Sequence, residues 1–331
     1  MIFIQPKATD ASVHFAAEEY CMNSLGQTQD IFMLWQTDCC AMLGSNQIAQ
    51  DEIDLHLAEK HGVQVVRRSS GGGTIYTDKG SLLCTIITPF SPGDDAKEMG
   101  RTRLAQPIIA ALQKMGIHAE LKGRNDVLLD GKKISGLAQR LGKNSLCSHC
   151  SLLFDTDLSV LEKILIVDEA KIKSKGIASV RSRVTNIREH LPEEYDTTTF
   201  KTRLAQALSE VVPLEEYTFS EEELACIEKI RVGKYGNPLW TYRTNSTFTH
   251  HCEKRLPLGK VEIYLEITEG SIASCSIRGD FLSIKPIEEL ELHLVNTAFE
   301  RDTLCARLST MDLVPYLGGI TAEEFISVIF S

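Results

Sequence analysis

The chain has 331 residues, 43% hydrophobic and 24% charged, and its 35 basic and 45 acidic side chains leave a net charge of −10. That is the composition of a soluble globular protein of about two domains. The acidic balance argues against general nucleic-acid binding, which needs a basic face, and leaves room for a local basic pocket around an acidic small molecule. Ten cysteines are scattered along the chain, as suits a reducing cytosol rather than a disulfide scaffold. The first residues lack a charged n-region and a long apolar run, and no stretch is long enough to span a bilayer, so a cytoplasmic protein is expected.

Residues 10–25 predict an amphipathic helix capped by Asp10 or Ser12, with Val13, Ala16, Ala17, Tyr20 and Cys21 on one face and Gly26 as its stop. Ile31 to Trp35 reads as a strand and Gly44-Ser45-Asn46-Gln47 as a turn. Val63 to Val66 reads as a short buried strand. It runs into Arg67-Arg68-Ser69-Ser70-Gly71-Gly72-Gly73-Thr74, after which Ile75 and Tyr76 restart a strand. Glycines let a backbone turn sharply and approach a ligand. Their N–H groups can line a hollow for an anion, and Arg68 can add bidentate contacts to phosphate or carboxylate. A flexible turn is the competing reading of a glycine triplet taken alone.

Ser81 to Thr88 is a strand, and 97–116 a helix that Pro107 kinks or restarts. Asp130-Gly131 is a two-residue hairpin signal inside the run Gly123-Arg124-Asn125-Asp126 to Lys133-Ile134-Ser135-Gly136. On a regular strand Lys133 and Ser135 share one face, Lys132 and Ile134 the other. The strand through Ser148 to Phe154 sends Cys147 and Cys150 of Cys147-Ser148-His149-Cys150 to opposite faces, which spoils chelation by that C-x-x-C. Helices are expected over 159–167 and 198–211, and Ser220 with Glu223 forms a capping box. Gly233 to Asn245, containing Trp240, reads as a loop-like linker. Beyond His250 the alternation of Val261, Ile263, Leu265 and Ile267, the turn at Glu269-Gly270 and the return through Ile277 predict an antiparallel hairpin. A second capping box, Thr321 with Glu324, opens a last helix.

Three of these stretches, taken together, resemble the bacterial lipoate–protein ligase A family. They are the Arg67–Thr74 loop (RR-x-SGGG), the Gly123–Gly136 hairpin (GRND…DGxKxSG) and a third loop, Lys175-Gly176-Ile177-Ala178-Ser179-Val180-Arg181-Ser182-Arg183-Val184-Thr185-Asn186 (KGxxSVRSRVxN). The resemblance runs through nearly the whole chain. It implies an α+β fold of the biotin/lipoate ligase type: a large N-terminal domain, 1–244, with mixed β-sheets flanked by helices, and a small α+β accessory domain, 245–331. It implies two half-reactions. Lipoate and ATP give lipoyl-AMP and pyrophosphate, and the lipoyl group then passes to a lysine of an acceptor protein, either an E2 lipoyl domain of a 2-oxoacid dehydrogenase or the glycine-cleavage H protein.

The resemblance also assigns residues. Lys133 looks like the family lysine that touches both the lipoyl carbonyl and the phosphate; an isolated hairpin lysine would ordinarily be a solvated one. Arg68, Gly73, Thr74, Ile75, Tyr76, Lys133, Lys175, Arg181 and Arg183 are the expected nucleotide-binding residues, with Ile75 and Tyr76 acting through their backbone. Ser70, Gly71, Gly72, Gly73, Lys133 and His149 are the expected lipoate-binding residues. Asp126 is either a ligand for Mg²⁺ or an Asx-turn residue. The implied protein is a monomer that binds neither nucleic acid nor membrane. Ser45, Thr77 and Arg243 depart from the arginine, histidine and glycine usual in the family at those places. Two alternatives stand beside the ligase: an octanoyl- or lipoyltransferase of the same superfamily with a cysteine nucleophile, and a non-catalytic lipoate-binding paralogue.

Overall fold

A computed structural model describes residues 1–123, 125–166, 183–191, 195–242 and 248–331 of the chain. Lys175, Arg181 and Arg243 lie outside the described residues.

The N-terminal part is built on β1 (Ile2–Ile4), β2 (Ile31–Trp35), β3 (Cys40–Leu43), β4 (Gln64–Arg67), β5 (Ile75–Thr77), β6 (Ser81–Pro89), β7 (Glu120–Lys122), β8 (Asp126–Leu129), β9 (Lys132–Leu141), β10 (Ser145–Leu153) and β11 (Glu215–Glu216). Eight of them form one mixed sheet in the order β11-β1-β2-β6-β10-β9-β8-β7, and β4-β3-β5 form a small one. Parallel pairs join β1 to β11 and β2, and β3 to β4; the other ladders are antiparallel. The central strand β6 is buried from Ser81 to Thr88, because side chains on both its faces meet a core.

One face of the large sheet packs against helix α2 (Gln106–Lys114) and helix α3 (Thr197–Ser209). Ile108, Leu112, Phe200 and Leu204 meet Cys84, Ile134, Leu137 and Cys150 there. Stacked Phe154 and Phe200 rings, 4.2 Å apart between centroids, clamp α3 to it. Full burial of a Phe or Leu side chain is worth roughly 1.5–3 kcal/mol, so each such side chain in this layer stabilises the domain on that scale. The other face packs against helix α1 (Ala11–Asn23) and part of the small sheet, with Phe15, Met22, Trp35, Met42, Val66 and Cys147 in that core. Cys147 and Cys150 therefore belong to different cores, on opposite faces.

Asp10 caps α1, accepting from the Ser12 N–H. The buried stripe is wider than the expected one. It includes Ala11, Phe15, Glu18 and Met22, whereas Val13 and Tyr20 are only half-buried, because a second layer covers the helix. Ahead of Pro107 the chain widens into a π turn, Arg101–Ala105, which absorbs the missing proline N–H. The stretch expected to be a loop from Gly233 is helical where described. Arg231–Tyr235 continues the helix Glu221–Ile230 as a π turn, and a short helix spans Pro238–Thr241. Tyr235 lies 5.8 Å from Phe15 and 6.1 Å from Trp240 between ring centroids; burying those rings outweighs what a solvated linker would gain in entropy.

The C-terminal part has its own core. β12 (His250–Leu256), β13 (Gly259–Thr268) and β14 (Ser271–Gly279) form an antiparallel sheet. The helices Glu288–Leu294, Arg301–Leu308 and Ala322–Ile329 cover its apolar face, where Val261, Ile263, Leu265, Phe281 and Phe325 are buried.

Candidate active site

The hairpin β8–β9 carries the expected catalytic lysine. Asp130 (φ 49°) and Gly131 (φ 77°) make its turn, the left-handed pair that a two-residue loop needs. The strand is not regular. Asp126 pairs with Gly136 and Val127 with Ser135, but Leu128 pairs with Lys133, so Ile134 is an extra residue. This bulge overturns the expectation that Lys133 and Ser135 share a face. Ser135 pairs with Leu152 and faces the α2–α3 core, which Ile134 also enters, while Lys133 folds back over Gly136 on the α1 side. The Lys133 Nζ lies 2.6 Å from where a Gly136 Cβ would stand, so the ammonium occupies the space that a side chain at 136 would take.

Lys133 Nζ sits 2.7 Å from Asp126 Oδ1, and Arg183 holds Oδ2 of the same carboxylate. Burial alone would raise the Asp126 carboxyl; Lys133 and then Arg183 outweigh it and hold the group below its ordinary value. Both Asp126 oxygens are thus spent on cations. As it stands this donor set does not suit a resident Mg²⁺, which seeks near-octahedral oxygen ligands. Lys122, Gly123, Asp126, Leu128, Gly131, Lys133 and Arg183 line a cleft of about 280 Å³ on the outer side of the lysine.

On the inner side the β9–β10 surface carries small residues. Gly136 pairs with Ser151 and Ala138 with His149. From the Lys133 ammonium, His149 is two residues along and one strand across, roughly 8 Å at strand spacings. There His149 Nδ1 meets Glu18 Oε1 at 3.2 Å and its Nε2 meets Ser70 Oγ at 2.6 Å.

Ser70 belongs to the glycine loop between β4 and β5. Arg68 braces that loop from within: its guanidinium donates to Ser70 Oγ and to the carbonyls of Met42, Gly71 and Gly73. Burial pushes Arg68 down to about 10, so it stays charged at neutral pH. Arg67 is fully buried and donates to the carbonyls of Gly44, Ser45, Gln47, Trp240 and Thr241. Gln47 Oε1 accepts from Gly44 N–H and from Thr74 Oγ1. Ile75 packs against the α1 core and Tyr76 lies in the core beyond the small sheet. Thr77 is buried in a hydroxyl pair with Thr37, 2.7 Å apart.

Two of the loop's N–H groups do not face an open hollow. Gly71 N–H donates to Ser283 O and Gly72 N–H to Phe281 O, and Leu141 N–H to Ile284 O. Asn46 Nδ2 donates to Ser283 Oγ. The segment 281–284 of the C-terminal part therefore lies across the glycine loop as a strap.

Sequence reasoning missed Glu18, Glu19, Arg140, Tyr235 and this strap. Glu19 Oε2 accepts from Arg140 at 2.8 Å and from Lys234 and Tyr235 at 2.6 Å, and the Tyr235 hydroxyl meets Ser69 Oγ at 2.6 Å. A signal for Glu18 existed: at helical spacing from Ala11, Phe15 and Met22 it is a carboxylate on the apolar stripe.

Comparison with known proteins bears on what this arrangement does. The lipoyl protein ligase A/B catalytic domain family matches residues 10–209, and the bacterial lipoate protein ligase C-terminus family matches residues 245–329. The chain is 36% identical over 334 residues to lipoate-protein ligase LplJ of Bacillus subtilis, covering 100% of both chains. Its fold is similar to that of LipL1 of P. falciparum solved in complex with lipoate, with TM-score 0.76 and 17% identity over 94% of each chain. It is also similar to a bipartite lipoate protein ligase, described with its E2 lipoyl domain, from Thermoplasma acidophilum, with TM-score 0.64 and 25% identity over 75% of this chain and 98% of that one.

Proposed function

The chain belongs to the lipoate–protein ligase family, and from that premise we propose that Lys133, held over Gly136 between an inner trough and an outer cleft, is where the two substrates meet. The position of the ammonium carries the reading. The chain is an enzyme that ligates lipoate to protein. The lipoate carboxylate lies at Lys133, and its tail runs inward along Gly136, Ala138 and Ser151 toward His149. A carboxyl group and a ring joined by a short alkyl chain span roughly 8–10 Å with C–C bonds of about 1.5 Å, which matches the distance to His149. ATP enters from the outer cleft, where Arg183 and Lys133 meet its phosphates.

A lipoate carboxylate oxygen attacks the α-phosphorus and pyrophosphate leaves with the P–O bonding pair. In the second step the ε-amine of an acceptor lysine attacks the lipoyl carbonyl, AMP leaves, and the amine proton passes to solvent or to the leaving phosphate. Two anions must meet in the first step. Lys133 donates to both, and Asp126 and Arg183 fix its ammonium beforehand, so little reorganisation is left for the moment of reaction. Mg²⁺ bound to the nucleotide would supply charge neutralisation on the phosphates.

The strap 281–284 must leave before an anion can use the Gly71 and Gly72 N–H groups. Lipoyl-AMP favours the open state only through contacts it makes there and not in the closed one; Arg183 and the expected Lys175 and Arg181 are the candidates. The acceptors are E2 lipoyl domains or the glycine-cleavage H protein, and the protein works as a cytoplasmic monomer. Among the described residues no helix is long and apolar enough to cross a membrane. Nothing favours the transferase alternative. Cys147, the cysteine beside His149, is buried, and burial pushes its thiol well above the ordinary value, which makes it a poor nucleophile. Incubation with ATP, Mg²⁺ and lipoate, with mass detection of lipoyl-AMP and assay of pyrophosphate, tests the reading; lipoate consumed with neither product refutes it.

A further inference from the structure

The three-stranded sheet of the C-terminal part buries one face under its helices. The other face is polar, and its middle gathers groups that the proposed reaction does not use. Across β12 and β13, His251 pairs with Tyr264 and Glu253 with Glu262. Two carboxylates therefore stand directly opposite each other, which is unfavourable for like charges. One donor atom from each of His251, Glu253 and Glu262 lies within 4.8 Å of the other two. A cation holds the carboxylates together: Lys260 Nζ is 2.9 Å from Glu253 Oε2 and 2.9 Å from Glu262 Oε1. The donors are oriented in advance. The His251 ring stacks on Tyr264 at 4.3 Å between centroids, and the Tyr264 hydroxyl donates to Glu262 Oε2 at 2.9 Å, which leaves Oε1 to the cation.

One ammonium does not balance this cluster. Asp51, in the short helix Ala49–Glu52 of the N-terminal part, faces it: burial and then Glu262 raise its carboxyl, with Lys260 opposing. Three carboxylates thus meet one lysine. A second observation is independent of charge. Ser276, 5% exposed, lies on the same polar face beside Tyr264, on β14. Its Oγ has no hydrogen-bond partner among the described residues. A buried hydroxyl left unpaired is costly, and a water held on a cation beside it would supply the missing partner.

We propose that His251, Glu253 and Glu262 form a site for an exchangeable divalent transition-metal ion, which displaces the Lys260 ammonium from between the two carboxylates. The imidazole argues against Mg²⁺ and Ca²⁺, which take oxygen ligands. Two carboxylates and no thiolate in the donor set favour an ion such as Mn²⁺, which accepts carboxylate and water. Bonds of about 2.0–2.2 Å to imidazole and carboxylate need only small rotations of donors already gathered within 4.8 Å. Lys260 reaches the carboxylates on a flexible stem and can turn out to solvent. A doubly charged ion in its place balances more of the three carboxylates, and Asp51 can add a further donor from across the boundary between the two parts. His251 and Glu253 are exposed and the lysine is a tethered competitor, so the site fills and empties with the metal in solution. None of these residues lines the cleft at Lys133.

The experiment is Mn²⁺ binding to the full chain without nucleotide, read from the EPR signal of the free ion. Excess Mg²⁺ is present to saturate unspecific carboxylates. Wild type should retain one Mn²⁺ per chain. His251→Ala and Glu253→Gln should each weaken it by at least about tenfold, the scale on which even the outer partners of a metal count. Both residues are exposed, so both variants should fold. Lys260→Gln should tighten binding, because the competing ammonium is gone. Mn²⁺ should also raise the thermal midpoint of wild type and of Lys260→Gln but not that of His251→Ala, since an ion that binds only the folded chain stabilises it. A plain salt-bridge cluster behaves otherwise: Lys260→Gln then lowers the midpoint and retains no metal, and that result overturns the proposal. So does wild-type protein that retains no Mn²⁺ under excess Mg²⁺. Unchanged affinity in both His251→Ala and Glu253→Gln would place the ion elsewhere and overturn it as well.

Discussion

Replacing Gly136 by alanine separates the position of the proposed catalytic ammonium, that of Lys133, from the stability of the strand that carries it. A Cβ at residue 136 would stand 2.6 Å from Lys133 Nζ and 2.9 Å from its Cε. Ordinary contact begins at 3.4 Å, so the ammonium must withdraw by at least 0.8 Å (3.4 − 2.6). The atoms that yield are the far end of a flexible side chain, and Gly136 is not among the residues with positive φ. The fold should therefore tolerate the change, and alanine in a strand is worth about 0.5–1 kcal/mol over glycine. A misplacement of about 1 Å in a catalytic group costs up to about 10²-fold, or roughly 2.7 kcal/mol of barrier. Gly136→Ala should thus unfold in urea at or slightly above the wild-type midpoint while adenylation, read by pyrophosphate release, falls between about tenfold and a hundredfold. Activity within twofold of wild type at normal stability would show that the ammonium does not act from over Gly136, and the proposed meeting point of carboxylate and phosphate would go with it.

Lys133→Ala should cost on the order of 10²–10³ in adenylation rate, whereas Lys132→Ala, on the exposed side of the hairpin, should be mild; equal small effects would remove the assignment. Glu19 is a test in pH. Burial would raise its carboxyl, but Arg140 and Lys234 outweigh that and hold it at about 2 against an ordinary 4.5. A depressed folded value means stability that is present above pH 4.5 and lost as pH falls toward 2. Glu19→Gln should therefore cost about 3 kcal/mol at neutral pH, with the gap to wild type closing across that acid window in urea titrations; a gap independent of pH would refute the ion-pair account. Hydrogen exchange with a stable lipoyl-AMP analogue should show weakened protection at Leu141, whose N–H loses Ile284 O when the strap leaves, and identical exchange there with and without the analogue would mean that the strap stays in place. Cys147→Ser and Cys150→Ser should each leave turnover within a few fold and the purified protein without stoichiometric zinc; zinc lost together with activity in either variant would contradict the two-core placement of these thiols.

What the sequence by itself determined is local. The Asp130-Gly131 turn needs φ values that glycine and aspartate tolerate, and it forms where the dipeptide stands. The Asp10 cap and the Ser220 and Thr321 capping boxes satisfy helix N–H groups within three residues, and the strict alternation from Val261 to Ile267 sets the buried face of its hairpin. The loop and hairpin motifs were legible for the same reason, since each is a contiguous run whose chemistry follows from its own residues, and they carried the family and singled out Lys133 as the candidate. Tertiary structure decided the rest. The bulge at Ile134 turned Lys133 to the face opposite Ser135, because two strands had to match hydrophobic cores that no period along one strand reveals. Glu18 reached His149 across 131 positions of sequence, and the strap at Ser283 met Gly71 from another domain's core. Such pairings are set by the order and register in which strands pack, and a side chain's partner across a sheet is fixed only when both strands are in place.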